Sequence, residues 1–269
     1  RLYALTSSPG RVATLRAQRI TPLRGDLDRP ASMRRLAGIA TRVVCLAPPP
    51  AEGWGDPRTR ALTQVLRLRS APTSLVYGST SGVYGDCGGA LVAESRMPAP
   101  HTPRACRRIA AEQAVRFLGR GRAGVRVSIL RIPGIYAPDR AGGTPRERLE
   151  KGTPVLAPQD DVYTSHIHAD DLARACALAL WRGRPQRVYN ASDDTRLKMG
   201  DYFDLAADLY GLPRPPRVSR DAARETLPLV LLSFMGESRR LDNTRMKREL
   251  RLALRYPTVE QGLLPTARP

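Results

Sequence analysis

The chain has 269 residues, 42% of them hydrophobic and 26% charged. That composition supports a real core and excludes a disordered chain, and no run of about 18 apolar residues is present to form a membrane-spanning helix. The formal charge of +19 carries only three lysines among 44 basic residues, and its arginines are scattered over every helix with few aromatics between, a pattern of solvated faces that argues against a nucleic-acid interface.

Strand and helix patterns alternate along the chain, as in a parallel sheet with crossover helices. Residues 1–6 read as a strand, then 9–18 as a helix capped by Ser7 or Ser8. A short strand, 20–23, ends at Gly25-Asp26, and a short helix, 30–36, follows with its cap near Asp28. Residues 41–47 form a buried strand stopped by Pro48-Pro49-Pro50. Residues 56–69 are helical with Pro57 in the first turn, 74–79 are a strand, and 103–118 are a long amphipathic helix. The pattern continues with a strand at 125–131, a helix at 169–181, a strand at 187–190 and a helix at 199–210. After a proline-rich turn at 212–216, residues 240–250 are expected to be the last well-formed helix, with a tail at 257–269 that packs or frays. The apolar stretch at 227–235, broken by Pro228 and Ser233, is too short to span a membrane.

Cys45, Cys87, Cys106 and Cys176 form no CxxC pair and read as reduced thiols of a cytoplasmic protein, and no metal site is expected. His166 and His168 precede Asp170-Asp171 at a helix start; they are candidates for acid–base groups, or one is a buried hydrogen-bonding histidine and the acids are N-caps.

A hydroxyl-rich run, Gly78-Ser79-Thr80-Ser81-Gly82-Val83-Tyr84-Gly85-Asp86, follows the 74–79 strand. Polar groups at the C-terminal end of a parallel strand sit where open α/β sheets bind ligands. This run resembles the hydroxyl-plus-VYG segment of the extended short-chain dehydrogenases, the NAD(P)-dependent epimerase/dehydratase family. Gly25-Asp26-Leu27 resembles the family's acidic segment beside the adenine pocket, and Ala47-Pro48-Pro49 its loop beneath the cofactor. The run from Leu130 through Pro133 and Tyr136 to Arg140 resembles its "LR-x-x-x-x-Y-x-P-x-R" segment. His168-Ala169-Asp170-Asp171-Leu172 resembles its "HVDDL" helix start, and Val188-Tyr189-Asn190 its "YN" strand. Val83 to Gly89 followed by Glu94 is typical of an atypical bacterial group of the family.

The resemblance implies an α/β, Rossmann-like, doubly wound parallel sheet with a small C-terminal substrate lobe. Residues 1–136 are expected to form the NAD(P)-binding domain, N-terminally incomplete, and 137–269 a substrate-side lobe interleaved with the last sheet strands. The implied activity is that of an NAD(P)-dependent oxidoreductase or epimerase on a small, nucleotide-sugar-like substrate. Asp26, Leu27, Ala47, Pro48 and Pro133 are the implied cofactor contacts. Relatives often dimerise through a four-helix contact, for which 56–69 and 103–118 are the candidates.

Two parts of the family pattern are missing. A strand, G-x-x-G-x-x-G and a helix should cradle the pyrophosphate, but the chain enters at what should be the second strand, without an initiator methionine. At the end of that strand stand Ser7, Ser8 and Arg11, which suit a 2′-phosphate and favour NADP over NAD; a plain helix cap with a surface arginine is the other reading. The family's catalytic Tyr and Lys positions hold Arg104 and Arg108. Arginine cannot serve as the base, so Arg108 is left to bond the ribose and Arg104 to bind an anionic substrate or face solvent. Thr80, with Ser81 beside it, stands at the position that polarises the substrate oxygen. Tyr136 and Tyr163 are conceivable substitute acids, Tyr84 reads as packing, and Asp86 and Glu94 either line the pocket mouth or pair with arginines. The loss of the Tyr/Lys pair also admits a non-catalytic NAD(P)-binding sensor or scaffold.

Overall fold

The computed structural model describes residues 1–121 and 124–264. The chain begins with β1 (Tyr3–Thr6), α1 (Arg11–Ala17), β2 (Thr21–Arg24), a 3-10 segment at Pro30–Leu36, β3 (Arg42–Cys45), α2 (Pro57–Leu66) and β4 (Ser74–Thr80). After a 3-10 turn at Ser81–Tyr84 come β5 (Leu91–Val92), α3 (Pro103–Arg120), β6 (Arg126–Ile132), β7 (Gly134–Tyr136), α4 (Arg146–Glu150) and β8 (Val155–Leu156). Then follow β9 (His166–His168), α5 (Ala169–Arg182), β10 (Arg187–Asn190), α6 (Met199–Tyr210), β11 (Arg217–Val218) and α7 (Arg220–Thr226). The last elements are α8 (Leu229–Met235), β12 (Arg240–Leu241), α9 (Thr244–Leu250) and α10 (Val259–Gly262).

The central sheet is parallel, in the order β10-β6-β4-β3. Period-two alternation sends Leu75, Tyr77, Val127 and Ile129 to one face, where Leu62, Leu66, Ala111, Val115 and Leu118 of α2 and α3 cover them. Val76, Leu130 and Tyr189 point the other way, against Leu172, Ala175, Cys176 and Ala179 of α5 and Met246 and Leu250 of α9. Helices on both faces make the sheet doubly wound, as expected.

The first two strands stand apart. β1 pairs with β2 in parallel, but neither joins the central sheet. Among the described residues no strand bonds to the other edge of β1 or to the outer edge of β3. Met33 of the 3-10 segment and Ala37 at its C-cap pack on Ala61 and Val65 of α2 with Leu5 and Leu27, tying the pair to the body. A third core, including Tyr136, Leu149, Val155, Met199, Tyr202, Phe203 and Met235, draws together β7, α4, β8, α6 and α8.

Several local expectations change. Neither Ser7 nor Ser8 caps α1: Gly10 stands at the N-cap without a side-chain bond, and the Thr6 hydroxyl bonds both the amide and the carbonyl of Ser8. Asp28 does not cap the next segment either, because its carboxylate is taken by Arg58 at 2.6 Å. Residues 240–250 are not one helix, since Arg240–Leu241 pairs with β5 as β12 before α9 begins. The tail continues into α10, with Val259 and Leu263 buried; residues 265–269 lie outside the described residues. The cap of α5 is His168, whose Nδ1 accepts the Asp170 amide at 3.2 Å, rather than either acid. Asp171 is fully buried and accepts the amides of Arg255 and Tyr256.

Candidate functional site

The site forms at the C-terminal ends of β4 and β6. β4 ends at Thr80, whose Oγ1 accepts the Gly82 amide at 3.2 Å and turns the chain into the Ser81–Tyr84 segment. Gly85 ends that turn at φ +66, where a Cβ would lie 2.3 Å from the Ala99 carbonyl, so the VYG glycine is required by both backbone and space. Tyr84 is fully buried and donates to Asn190 Oδ1 at 2.7 Å, which makes it a packing residue. Burial pushes its hydroxyl up.

A cavity of about 560 Å³ opens beside this turn. Thr80, Ser81 and Pro133 line it from the sheet, and Thr102, Arg104 and Ala105 from the start of α3. The lobe contributes Tyr136, Arg148, Tyr163, Thr164, His166, Tyr202 and Phe203, and the segment before β12 contributes Glu237 and Arg239. Thr102 caps α3 by accepting the Ala105 amide at 3.2 Å, and Pro103 opens the helix, which brings Arg104 to the cavity rim.

Of the residues singled out by sequence, Thr80, Ser81, Arg104 and Pro133 line this cavity, as do Tyr136 and Tyr163. Arg108 does not: its guanidinium is buried behind the cavity, where one Nη donates to Ala47 O (3.2 Å), Tyr77 Oη (3.0 Å) and Gly78 O (2.8 Å). It therefore ties the ends of β3 and β4 together. Ser7, Ser8 and Arg11 are exposed beyond β1; Asp26 and Leu27 are half-buried beyond β2, with the Asp26 amide on Ser32 Oγ at 2.8 Å. Ala47 and Pro48 follow β3, and their carbonyls accept from Arg108 and Arg58. Asp86 and Glu94 lie outside the cavity. Asp86 accepts the Ser238 amide at 2.8 Å, while Glu94 is buried and accepts the Asn190 amide at 2.9 Å.

The residues of a dinucleotide site fit in part. The groups expected at its two ends stand at the ends of β1, β2, β3 and β4. Its middle needs a glycine turn that presents amides to two phosphates. Gly10, the glycine between β1 and α1, has an ordinary helical φ of −63, and no described strand joins β1 to β3. The described residues do not complete a pyrophosphate cradle.

On the lobe wall Arg148, which sequence reading did not single out, stands with His166 and Tyr136, which it did. Arg148 lies 4.3 Å from the Phe203 ring centre, and its Nε and Nη2 are sealed from water without a hydrogen-bond partner. His166 stacks on Tyr202 at 4.3 Å, and its Nδ1 is likewise sealed and unpartnered. Desolvation pushes the His166 imidazole down to about 4, so it is neutral at pH 7. Burial raises the Tyr136 hydroxyl far above its ordinary value, which makes it a poor proton donor. Behind it Asp193 is buried, and desolvation lifts its carboxyl to about 7. Glu237 accepts from Arg239 at 2.6 Å and lies over Gly82.

The parallel sheet with helices on both faces is a Rossmann-like doubly wound α/β fold, with a ligand-sized cavity at its strand ends. The model of the NAD dependent epimerase/dehydratase family matches residues 57–192, half of the chain. The chain belongs to that family. A conserved protein of unknown function from Silicibacter pomeroyi is 32% identical, with 98% of this chain and 88% of that chain covered and a TM-score of 0.82. A dTDP-glucose 4,6-dehydratase double mutant from Streptomyces venezuelae, solved with NAD bound, is 21% identical over 96% of this chain and 84% of that one, TM-score 0.76. A UDP-glucose 4-epimerase from Thermotoga maritima, solved with UDP-glucose, is 18% identical over 97% and 87%, TM-score 0.77. The last two likenesses show the fold alone. No curated protein matches the chain in sequence. No helix among the described residues is long and apolar enough to cross a membrane.

Proposed function

We propose that this chain is an NAD(P)-dependent oxidoreductase or epimerase that acts on a small polar substrate in the 560 Å³ cavity. The observation that carries this reading is the placement of Thr80 and Ser81, two hydroxyls at the end of a central parallel strand, inside that cavity. A nicotinamide group, when bound, supplies hydride chemistry. Thr80 holds the substrate oxygen and Ser81 supports it. Arg104 faces the substrate as a fixed positive charge, since a guanidinium does not trade protons near neutral pH. Arg108 positions the ends of β3 and β4 on which a cofactor would rest. Ser7, Ser8 and Arg11 favour NADP over NAD.

A second reading is a nucleotide-binding sensor without catalysis. It is favoured by the engagement of Arg108 with three protein oxygens in place of a free lysine. Both readings are tested by titrating NADPH and NADH into the chain, alone and with a strand–glycine-loop–helix unit fused ahead of Arg1, following nicotinamide fluorescence. Saturable binding, tighter for NADPH, supports the cofactor. Turnover lost in Thr80→Val then separates the enzyme from the sensor. No binding by either form rejects both readings.

A further inference from the structure

We propose that the cavity recognises its substrate by an anionic group, a carboxylate or a phosphate monoester, gripped by the guanidinium of Arg148 with Arg104 as a second cation. This names the substrate class of the site described above and rests on reading that cavity as the substrate site.

The argument begins with what the arginines touch. Four half-buried or buried guanidinia elsewhere meet carboxylates, Arg131 with Glu112, Arg217 with Asp204, Arg187 with Glu249 and Arg239 with Glu237, and the buried Arg107 and Arg108 donate to protein carbonyls and to Tyr77 instead. Arg148 is the exception on the cavity wall. No carboxylate among the described residues pairs with it, and two of its donors are closed off from both water and protein acceptors. A sealed donor on a charged group is costly to leave unmade; Arg42, Arg107, Arg108 and Arg131 each leave one such nitrogen and Arg148 leaves two, for which an oxyanion in the cavity would supply the acceptors. Nε and Nη2 form the edge of the guanidinium fork that pairs with two oxygens of a carboxylate or phosphate at once. The Phe203 ring, 4.3 Å away, backs the plane of the fork, and Leu149 anchors the same helix in the lobe core. Arg148 lines the cavity, and a grip on an oxyanion there requires its stem to turn the sealed edge toward the guest.

The charge of the lining points the same way. Its one carboxylate, Glu237, is already engaged by Arg239 at 2.6 Å. Nothing on the lining offsets Arg104 and Arg148. Arg104 stands on the same helix as Arg107 and Arg108, has no ion-pair partner among the described residues, and has its guanidinium pushed down by desolvation first and by those two like charges next. Three cations on the opening turns of α3 with no acid in its first turn hold a field that favours an anion.

Size and polarity complete the description. The volume of about 560 Å³ and the apolar faces of Met199, Phe203 and Phe234 suit a compact organic body. The hydroxyls of Thr80 and Ser81 suit an alcohol or carbonyl at its reacting end. The predicted ligand is a small organic acid or sugar phosphate.

Calorimetric titration of the whole chain at low ionic strength, with inorganic phosphate and separately with succinate as probes, tests this. Saturable binding of at least one probe is expected. Arg148→Met should weaken it about tenfold or more, the range for a hydrogen-bonded charged group; Arg148→Lys, which keeps charge but loses the fork, should weaken it less. Arg104→Met should weaken it by a smaller factor, and Arg224→Ala, at an exposed pair outside the cavity, should leave it unchanged. Binding of phosphate alone assigns a phosphate monoester, binding of succinate alone a carboxylate, and binding of both the shared oxyanion. Absence of saturable binding by either probe overturns the inference, as does a folded Arg148→Met or Arg148→Lys variant that binds as tightly as the parent. Neither probe needs a dinucleotide. Anion binding through Arg148 without any binding of NADPH or NADH would reject the proposed function and keep this inference, while the reverse would reject the inference alone.

Discussion

Two groups of arginine meet the ends of β4 and β6, and they differ in what answers their charge. On one side of the sheet Arg131 lies 2.8 Å from Glu112, both almost wholly buried, and Glu112 also accepts from Ser79 at 2.6 Å. Each member there has an answering group on a neighbouring element, so the network joins β4, β6 and α3. Beyond the strand ends Arg104 and Arg148 face a cavity without a carboxylate of their own. The first arrangement pairs charge with charge inside the fold and leaves only Nη1 of Arg131 sealed without a partner; the second has no carboxylate to answer its charge. Buried charge alone does not separate structure from function, but its pairing does.

The comparison can be broken at several points. Glu112→Ala strands the buried Arg131 charge and is expected to cost about 3–5 kcal/mol in urea unfolding; a loss below about 1 kcal/mol would mean the network is not what binds α3 to the sheet. A smaller effect, visible as pH dependence, comes from Asp193. Its folded carboxyl is held up at about 7 by burial, against an ordinary 3.8. The contribution is therefore full below 3.8 and is lost as pH rises through 7. Asp193→Asn should flatten that decline, and parallel unfolding curves for variant and parent across this range would refute it. Tyr84→Phe leaves Asn190 Oδ1 without its donor and should cost about 1–2 kcal/mol by thermal unfolding. Arg148→Met should do the opposite of Glu112→Ala and raise stability by about 1 kcal/mol, because it removes sealed donors that have no acceptor. Smallest, Thr102→Ala should cost about 1 kcal/mol through loss of the α3 cap, with Thr102→Asp restoring it.

The doubly wound sheet was legible because its strands are four to seven residues long and its helices carry a clear apolar stripe. The strands of two or three residues, β5, β7, β8, β9, β11 and β12, have no period to read, and tertiary pairing alone creates them. Thr80 and Ser81 were legible because they follow a continuous buried strand. Arg148 was not, since one arginine among many bears no mark in sequence, and its distinction lies in missing partners. Arg108 was found by its position in the family pattern, but its three oxygen acceptors come from β4 and from Ala47 just after β3, remote in sequence. The cap of α5 went to His168 because its ring nitrogen reaches the amide two residues on, while Asp171 is drawn inward by Arg255 and Tyr256.

The separate pairing of β1 and β2 has a consequence for the order in which the molecule opens. α1 has no buried residue, and β1 is half-buried throughout. Two strands with little apolar cover gain little from their own ladder. Amide deuteration should sweep through residues 1–24 long before it reaches Leu75, Val127 or Ile129, so this arm exchanges as a foldon of its own, coupled to the body by Met33 and Ala37. A ligand that bridged the arm to β3 would slow that exchange while leaving the rates in the central sheet unchanged.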